Sequence, residues 1–161
     1  MTLIQDYIDL TAHHIKQYGE KTVVLMQVGS FYEIYANENP ITGELYGSKM
    51  ADIISLCGLK KGNKIADKTT YKMAGFSWYM LDKYIDLLRS DGYTSVVYNQ
   101  DEDEEGNTIR NLDFVISPGT YFALEENTST NNTMCVRIHS ATKRHKYLNT
   151  KYIIIGMTNV D

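Results

Sequence analysis

Cysteine is scarce: two in 161 residues, Cys57 and Cys135, with no CxxC spacing and no histidine-rich neighbourhood. That excludes a zinc framework and predicts two reduced, buried thiols in an intracellular, reducing compartment. Long hydrophobic runs are missing too. The longest, Val23 to Met26 and Tyr152 to Ile155, fall far short of the roughly 20 residues a membrane helix needs. The polar start lacks the basic, then apolar, then small-residue order of a secretory leader. The triplets Asn127-Thr128-Ser129 and Asn131-Asn132-Thr133 therefore read as polar loop, not as glycosylated sites. Nor is there a basic excess, since the net charge is −4. A chain that binds nucleic acid by neutralising phosphates is basic. Any such contact here has to be narrow, or assisted by other surfaces.

What is present is ordinary globular material, 43% hydrophobic and 22% charged. It suffices for one core, or for one domain and the start of another. Thr2 with Gln5 spells a capping box for a helix that carries Leu3, Ile4, Tyr7, Ile8 and Ile15 at helical spacing and stops at Gly19. Val23 to Val28 reads as a buried strand, and Phe31 to Tyr35 as a second extended piece broken at Pro40 and Gly43. Lys49 to Leu56 predicts a short helix ending at Gly58, and Lys60 to Thr70 a basic loop or hairpin. Ser77 is placed to cap a helix running to Arg89. Thr94 to Tyr98 and Thr108 to Ile116 predict paired strands around an acidic tip, Asp101 to Asn107. The class implied is α/β, a mixed sheet flanked by helices.

Residues 1–120 form the expected first domain, 121–133 a linker, and 134–161 the start of a second. Met134 to His139 and Lys151 to Met157 read there as two strands joined by a basic turn, Lys143 to Lys146. Such a pair cannot bury itself, and its ending at Asp161 predicts a piece of a longer protein.

Several chemistries fail on spacing. Gly58, Gly62 and Lys64-Ile65 do not form the phosphate-binding loop of an ATPase. His13 and His14 point about 100° apart on a helix and cannot share a metal. The run Asp101 to Glu105 lacks the alternation of an EF-hand. No nucleophile, base and orienting acid stand together, so neither catalytic residues nor metal ligands are assigned. Lys60, Lys61 and Lys64 remain open to two readings, a contact to phosphates or a solvated loop.

Gly29-Ser30-Phe31-Tyr32-Glu33 stands apart. In an extended segment Phe31 and Glu33 share one face, and Tyr32 and Ile34 the other. A bulky ring beside a carboxylate is an odd pair for a core, although composition alone makes a phenylalanine a core residue.

The stretch Val24 to Tyr35, with Gly29-Ser30-Phe31-Tyr32-Glu33 inside it, resembles the opening of the MutS mismatch-recognition domain. The likeness continues in order through Ile53 to Leu56 with Lys60-Lys61-Gly62, Met73-Ala74-Gly75-Phe76, Leu81 to Leu88, Tyr93 to Gln100, and Ile116-Ser117-Pro118-Gly119-Thr120. The segment after Thr133 is similar to the first strands of the family's connector domain. Ser30 departs from a common aspartate, Ser77-Trp78-Tyr79 from a common Pro-Tyr-His, and the acidic hairpin is this chain's own.

The resemblance implies a partner, mismatched double-stranded DNA, with Phe31 inserted from the minor groove beside a mispaired or unpaired base and Glu33 as its polar companion. A wedge must offset unstacking, about a few kcal/mol, part of which a mismatch has already lost. Lys60, Lys61, Lys72 and Met73 follow from matched positions as backbone or groove contacts; surface solubility for the lysines and core packing for Met73 are the bland alternatives. ATP with Mg²⁺, and dimerisation, are implied for domains elsewhere in a full-length protein, so this stretch is not expected to be an enzyme or to touch a membrane. Two rivals stand beside this reading: a divalent-metal nuclease, needing clustered carboxylates and a lysine, and a protein-interaction module of the same fold.

Overall fold

The computed structural model describes residues 2–119, 133–145 and 148–160. The chain divides into two compact units, Met1–Pro118 and Gly119–Asp161. In the first, α1 (Leu3–Tyr18) leads into β1 (Thr22–Val28), β2 (Phe31–Glu38) and the short β3 (Leu45–Tyr46). After α2 (Met50–Cys57) come β4 (Gly62–Ala66) and β5 (Thr69–Ser77), a single 3-10 turn (Trp78–Met80), α3 (Leu81–Ser90), β6 (Thr94–Glu102) and β7 (Thr108–Ile116).

The strands form one seven-stranded sheet in the order β4-β5-β2-β1-β6-β7, with β3 paired to β2. Only β1 and β6 pair in parallel, so the sheet is mixed. Val23 to Met26, Ile34 to Ala36 and Thr94 to Val97 are buried without alternation. Unbroken burial is what a sheet covered on both faces requires. The register sorts the faces, because residues directly opposite in a ladder project together. Val24, Met26, Tyr35 and Tyr98 lie toward α1. The Tyr7 hydroxyl donates to the Val24 carbonyl at 3.1 Å, and its ring meets Tyr35 edge-on at 5.2 Å. Burial pushes that hydroxyl well above the ordinary phenol range, so it keeps the proton it donates. The reverse face, with Tyr32, Ile34 and Phe76, is covered by α2 and α3; Phe76 and Tyr84 of α3 sit 4.3 Å apart, ring to ring.

The helix ends depart from expectation in detail. Thr2 Oγ1 accepts from the Gln5 amide at 3.3 Å, but the Gln5 side chain turns to Asp9 at 3.1 Å, which leaves only half of a capping box. The buried face of α1 is Ile4, Tyr7, Thr11 and His14, so Ile15 is not its anchor. His14 reaches the Tyr98 hydroxyl at 2.9 Å, and burial, then His13, lowers its pKa. Ser77 does not cap by its side chain. It is the last residue of β5, paired with Phe31, and the α-helix starts only after the 3-10 turn. Cys57 is buried and its thiol is pushed up to about 11 by that burial; the Cys135 side chain lies outside the described residues, as do both Asn-X-Ser/Thr asparagines and most of the proposed linker.

In the second unit β8 (Thr133–His145) and β9 (Leu148–Val160) make a two-stranded antiparallel ladder, longer on both sides than the sequence pattern indicates. Val136, Ile138 and Ile153 are exposed on it. Among the described residues no helix is long and apolar enough to cross a membrane.

Candidate nucleic-acid interface

Two residues, Gly29 and Ser30, join β1 to β2, with Val28 paired to Phe31. Gly29 takes φ +58° while Ser30 stays outside the left-handed region, the hairpin pattern that reserves its first turn position for glycine. The 3-10 turn on one side and β6 on the other fasten this turn. The Ser30 carbonyl accepts from the Trp78 amide at 3.0 Å. The Gly29 amide donates to Gln100 Oε1 at 2.9 Å, and the Gln100 amide donates to Gln27 Oε1 at 3.0 Å. Phe31, the first residue of β2, thus projects from a backbone that is tied down.

Exposure rises along this face of β2, from 0% at Tyr35 through 8% at Glu33 to 49% at Phe31. Helix α1 covers Tyr35; toward the turn its cover gives out. Phe31 is therefore not a core residue, and Tyr32 and Ile34 take the buried positions on the reverse face.

Glu33 carries its carboxylate nearly out of solvent. Its Oε2 accepts from the Tyr35 hydroxyl and from Lys64 Nζ at 3.2 Å. Burial, and then the hydrogen bond to Glu33, push the Tyr35 hydroxyl far above its ordinary range, which fixes it as a donor. A buried charge is tolerated when it is paired and hydrogen-bonded, as this one is. Among the described residues both hydrogen bonds to this carboxylate fall on Oε2.

Opposite Glu33 in the ladder stands Gly75. A Cβ there would lie 2.7 Å from the Tyr32 carbonyl oxygen and 3.4 Å from Glu33 Cγ. The bare backbone opens a hollow of about 300 Å³ lined by Phe31, Glu33, Lys60, Lys61, Gly62, Met73 and Gly75. Five of the residues assigned from sequence thus meet at one place: Phe31, Glu33, Lys60, Lys61 and Met73. Met73 is half-buried and also packs on the core, so its two readings coexist.

Lys72 is not among them. It lies opposite Ala36, one step out of phase with Met73 and hence on the reverse face. Its ammonium is held by Glu38 Oε2 at 3.0 Å and Asn63 Oδ1 at 2.8 Å. Lys61 lies at the margin of the hollow with its ammonium 3.3 Å from Glu38 Oε1. The Glu38 carboxyl is held below its usual range, by Lys72 first.

Sequence reasoning missed Tyr35 and the role of Gly75, and it named Lys64 only as one of three lysines open to phosphate or solvent, without its partner Glu33. Tyr35 was in reach by alternation, two residues from Glu33. Lys64 required the register of the β4–β5 hairpin, which places it on the face of Gly62 and Met73. A second hollow, of about 710 Å³, lies between α1 and β7 and holds Asp6, Asp9, His13 and Arg110. Among the described residues no three His, Cys, Asp or Glu side chains gather as a metal ion would need.

Sheet, glycine turn and presented ring together define an α/β domain of the MutS domain I class, and the family model of MutS domain I matches residues 10–125. The chain belongs to the MutS family. It is 27% identical over 99% of its length to a putative DNA mismatch repair protein, a MutS homologue, of Acanthamoeba polyphaga mimivirus. It is 30% identical over 80% of its length to the DNA mismatch repair protein MutS of Streptococcus pneumoniae. A third relative, DNA mismatch repair protein MutS 1 of Halobacterium salinarum, is 28% identical over 68% of the chain. The chain spans 14% of the first two relatives and 11% of the third.

Proposed function

We propose that this chain is the lesion-sensing part of a mismatch repair protein. Phe31 enters the minor groove beside a mispaired or unpaired base, and Glu33 meets the displaced base edge. The observation that carries the reading is Phe31 itself: a ring half in solvent, on a fastened two-residue turn, at the mouth of a hollow that holds a carboxylate and lysines. A phenyl ring has a face for any base, so the wedge reads weakened stacking, not sequence. DNA that kinks easily at a mismatch lowers the cost further. Lys60 and Lys61 supply cationic contact to phosphates near the wedge.

The sensing part carries no catalysis in this reading. ATP with Mg²⁺ and the dimer contacts belong to other parts of the full protein, which works inside the cell. Those parts also supply most of the phosphate contacts that a net charge of −4 leaves wanting.

The test is Phe31→Ala in the intact protein, assayed for affinity to matched and mismatched duplexes of one sequence. The mismatched-to-matched ratio falls by about tenfold to a hundredfold, the worth of one base–aromatic stack, while the thermal unfolding midpoint stays put. An unchanged ratio refutes the wedge.

A further inference from the structure

The lysine that touches Glu33, Lys64, is one of the three that the sequence leaves open between a phosphate contact and a solvated loop. Lys64 reaches from the edge strand β4 across β5 to Glu33, and two positions on that face of the two strands, Gly62 and Gly75, carry no side chain. Its side chain is 36% exposed, whereas that of Glu33 is 10% exposed, so the flexible partner comes from solvent to meet the sheltered one. Tyr35 holds the same oxygen from beneath.

Two donors on Oε2 do two things. They fix the plane of the carboxylate, and they offset its charge where a phosphodiester chain would pass. We propose that Lys64 is a positioning residue for base recognition, acting through Glu33: it anchors Oε2 with Tyr35 and leaves Oε1 as a hydrogen-bond acceptor facing the hollow. The class of ligand selected is a displaced base that presents an N–H, such as the imino edge of thymine or guanine. Adenine and cytosine carry no imino N–H, and a ring nitrogen that only accepts is disfavoured there, because two acceptors face each other without a proton between them.

This inference rests on the mismatch-sensing reading above. A lysine beside DNA also has a simpler use, as a contact to phosphate, and that use predicts different results. A phosphate contact weakens matched and mismatched binding together and does not depend on Glu33. An anchor of Glu33 changes the ratio between duplexes and loses its effect when Glu33 is changed. Residues in direct contact couple in this way, whereas independent ones add.

The experiment is a double-mutant cycle in the intact protein with Lys64→Met, Glu33→Gln and both, measured on a matched duplex, a G·T duplex and an A·C duplex. Lys64→Met is expected to lower the preference for G·T over matched DNA by about tenfold and that for A·C by much less. Added to Glu33→Gln it does nothing further to either ratio. Lys64→Arg, which keeps a cation with reach, restores the preference. Equal losses with and without Glu33 overturn the proposal in favour of a phosphate contact, and an unchanged G·T preference in Lys64→Met overturns it outright. If the unmodified protein itself shows no preference for G·T over matched duplex, the mismatch-sensing reading has failed, and the inference falls with it.

Discussion

The two edges of the sheet carry opposite charge. At one edge the β4–β5 hairpin bears Lys60, Lys61, Lys64, Lys68 and Lys72; at the other the β6–β7 hairpin bears Asp101, Glu102, Asp103, Glu104 and Glu105. Five strand spacings separate β4 from β7, or about 24 Å at roughly 4.8 Å each. Counter-ions screen exposed charges beyond about 8 Å in physiological salt. The acidic tip is therefore nearly silent at the hollow, and a net charge of −4 says little about what a phosphate meets there. The edges differ in a second way. The lysines reach across strands, to Glu33 and Glu38, whereas the best-connected acid of the tip, Asp103, bonds among the described residues to its own loop. One edge is built into the candidate site; the other is built to hold its own turn.

The harshest way to break that difference is Gly75→Ala. The new methyl group would meet the Tyr32 carbonyl at 2.7 Å, and a backbone atom cannot step aside as a side chain can. Strand β5 has to move away from β2, which carries the lysine hairpin away from Phe31 and Glu33. A loss of about 1–3 kcal/mol is expected, read as an earlier urea midpoint, together with loss of mismatch preference. A matching change at the tip, Gly106→Ala, strains a left-handed turn (φ +78°) but leaves the hollow alone. Mismatch preference that survives in Gly75→Ala would detach the hollow from recognition.

The sequence made one side of this comparison plain and hid the other. Alternation along Phe31, Tyr32, Glu33 and Ile34 sorts the two faces of β2 without help, because a pleated strand has a period of two. The acidic tip was equally open, since five consecutive acids followed by Gly106-Asn107 have few uses except a solvated turn. The β4–β5 hairpin was ambiguous because its turn, Asp67-Lys68, takes left-handed φ at two residues that are not glycine. Without that turn there is no register, and without register Lys60, Lys64 and Lys72 look alike. Residue contacts set by pairing across three strands are global facts, and no local pattern encodes them. The same holds for Ser77, a fair helix cap by spacing that tertiary pairing with Phe31 claims as strand.

A milder test compares the edges charge for charge. Lys60 makes no ion pair among the described residues, so its cation is free to meet a phosphate. In the intact protein Lys60→Met should weaken matched and mismatched duplex binding alike, a few-fold. The slope of log affinity against log salt should shrink by about 1. Glu104→Gln, the same size of charge change at the far edge, should leave affinity and slope where they were. Equal effects from the two would mean that overall charge, not its placement, governs binding.

The smallest effect belongs to the acidic tip alone. Asp103 accepts the amides of Glu105 at 3.0 Å and Asn107 at 2.8 Å, and its carboxyl lies below the usual range, chiefly because of the Asn107 amide. A carboxyl lowered in the fold contributes stability that is present above its unfolded value, near pH 4, and is lost as pH falls through the folded one. Protection of the Glu105 and Asn107 amides from exchange should accordingly be level from pH 7 to about 5, and should fade only below about pH 4. Asp103→Asn keeps a weaker, uncharged acceptor, so protection drops at neutral pH and becomes indifferent to acid over that range. Mismatch preference is untouched, because among the described residues none of the tip lines the hollow. A loss of preference in Asp103→Asn would mean that the two edges communicate through β6 and β1, and the division drawn between them would have to be abandoned.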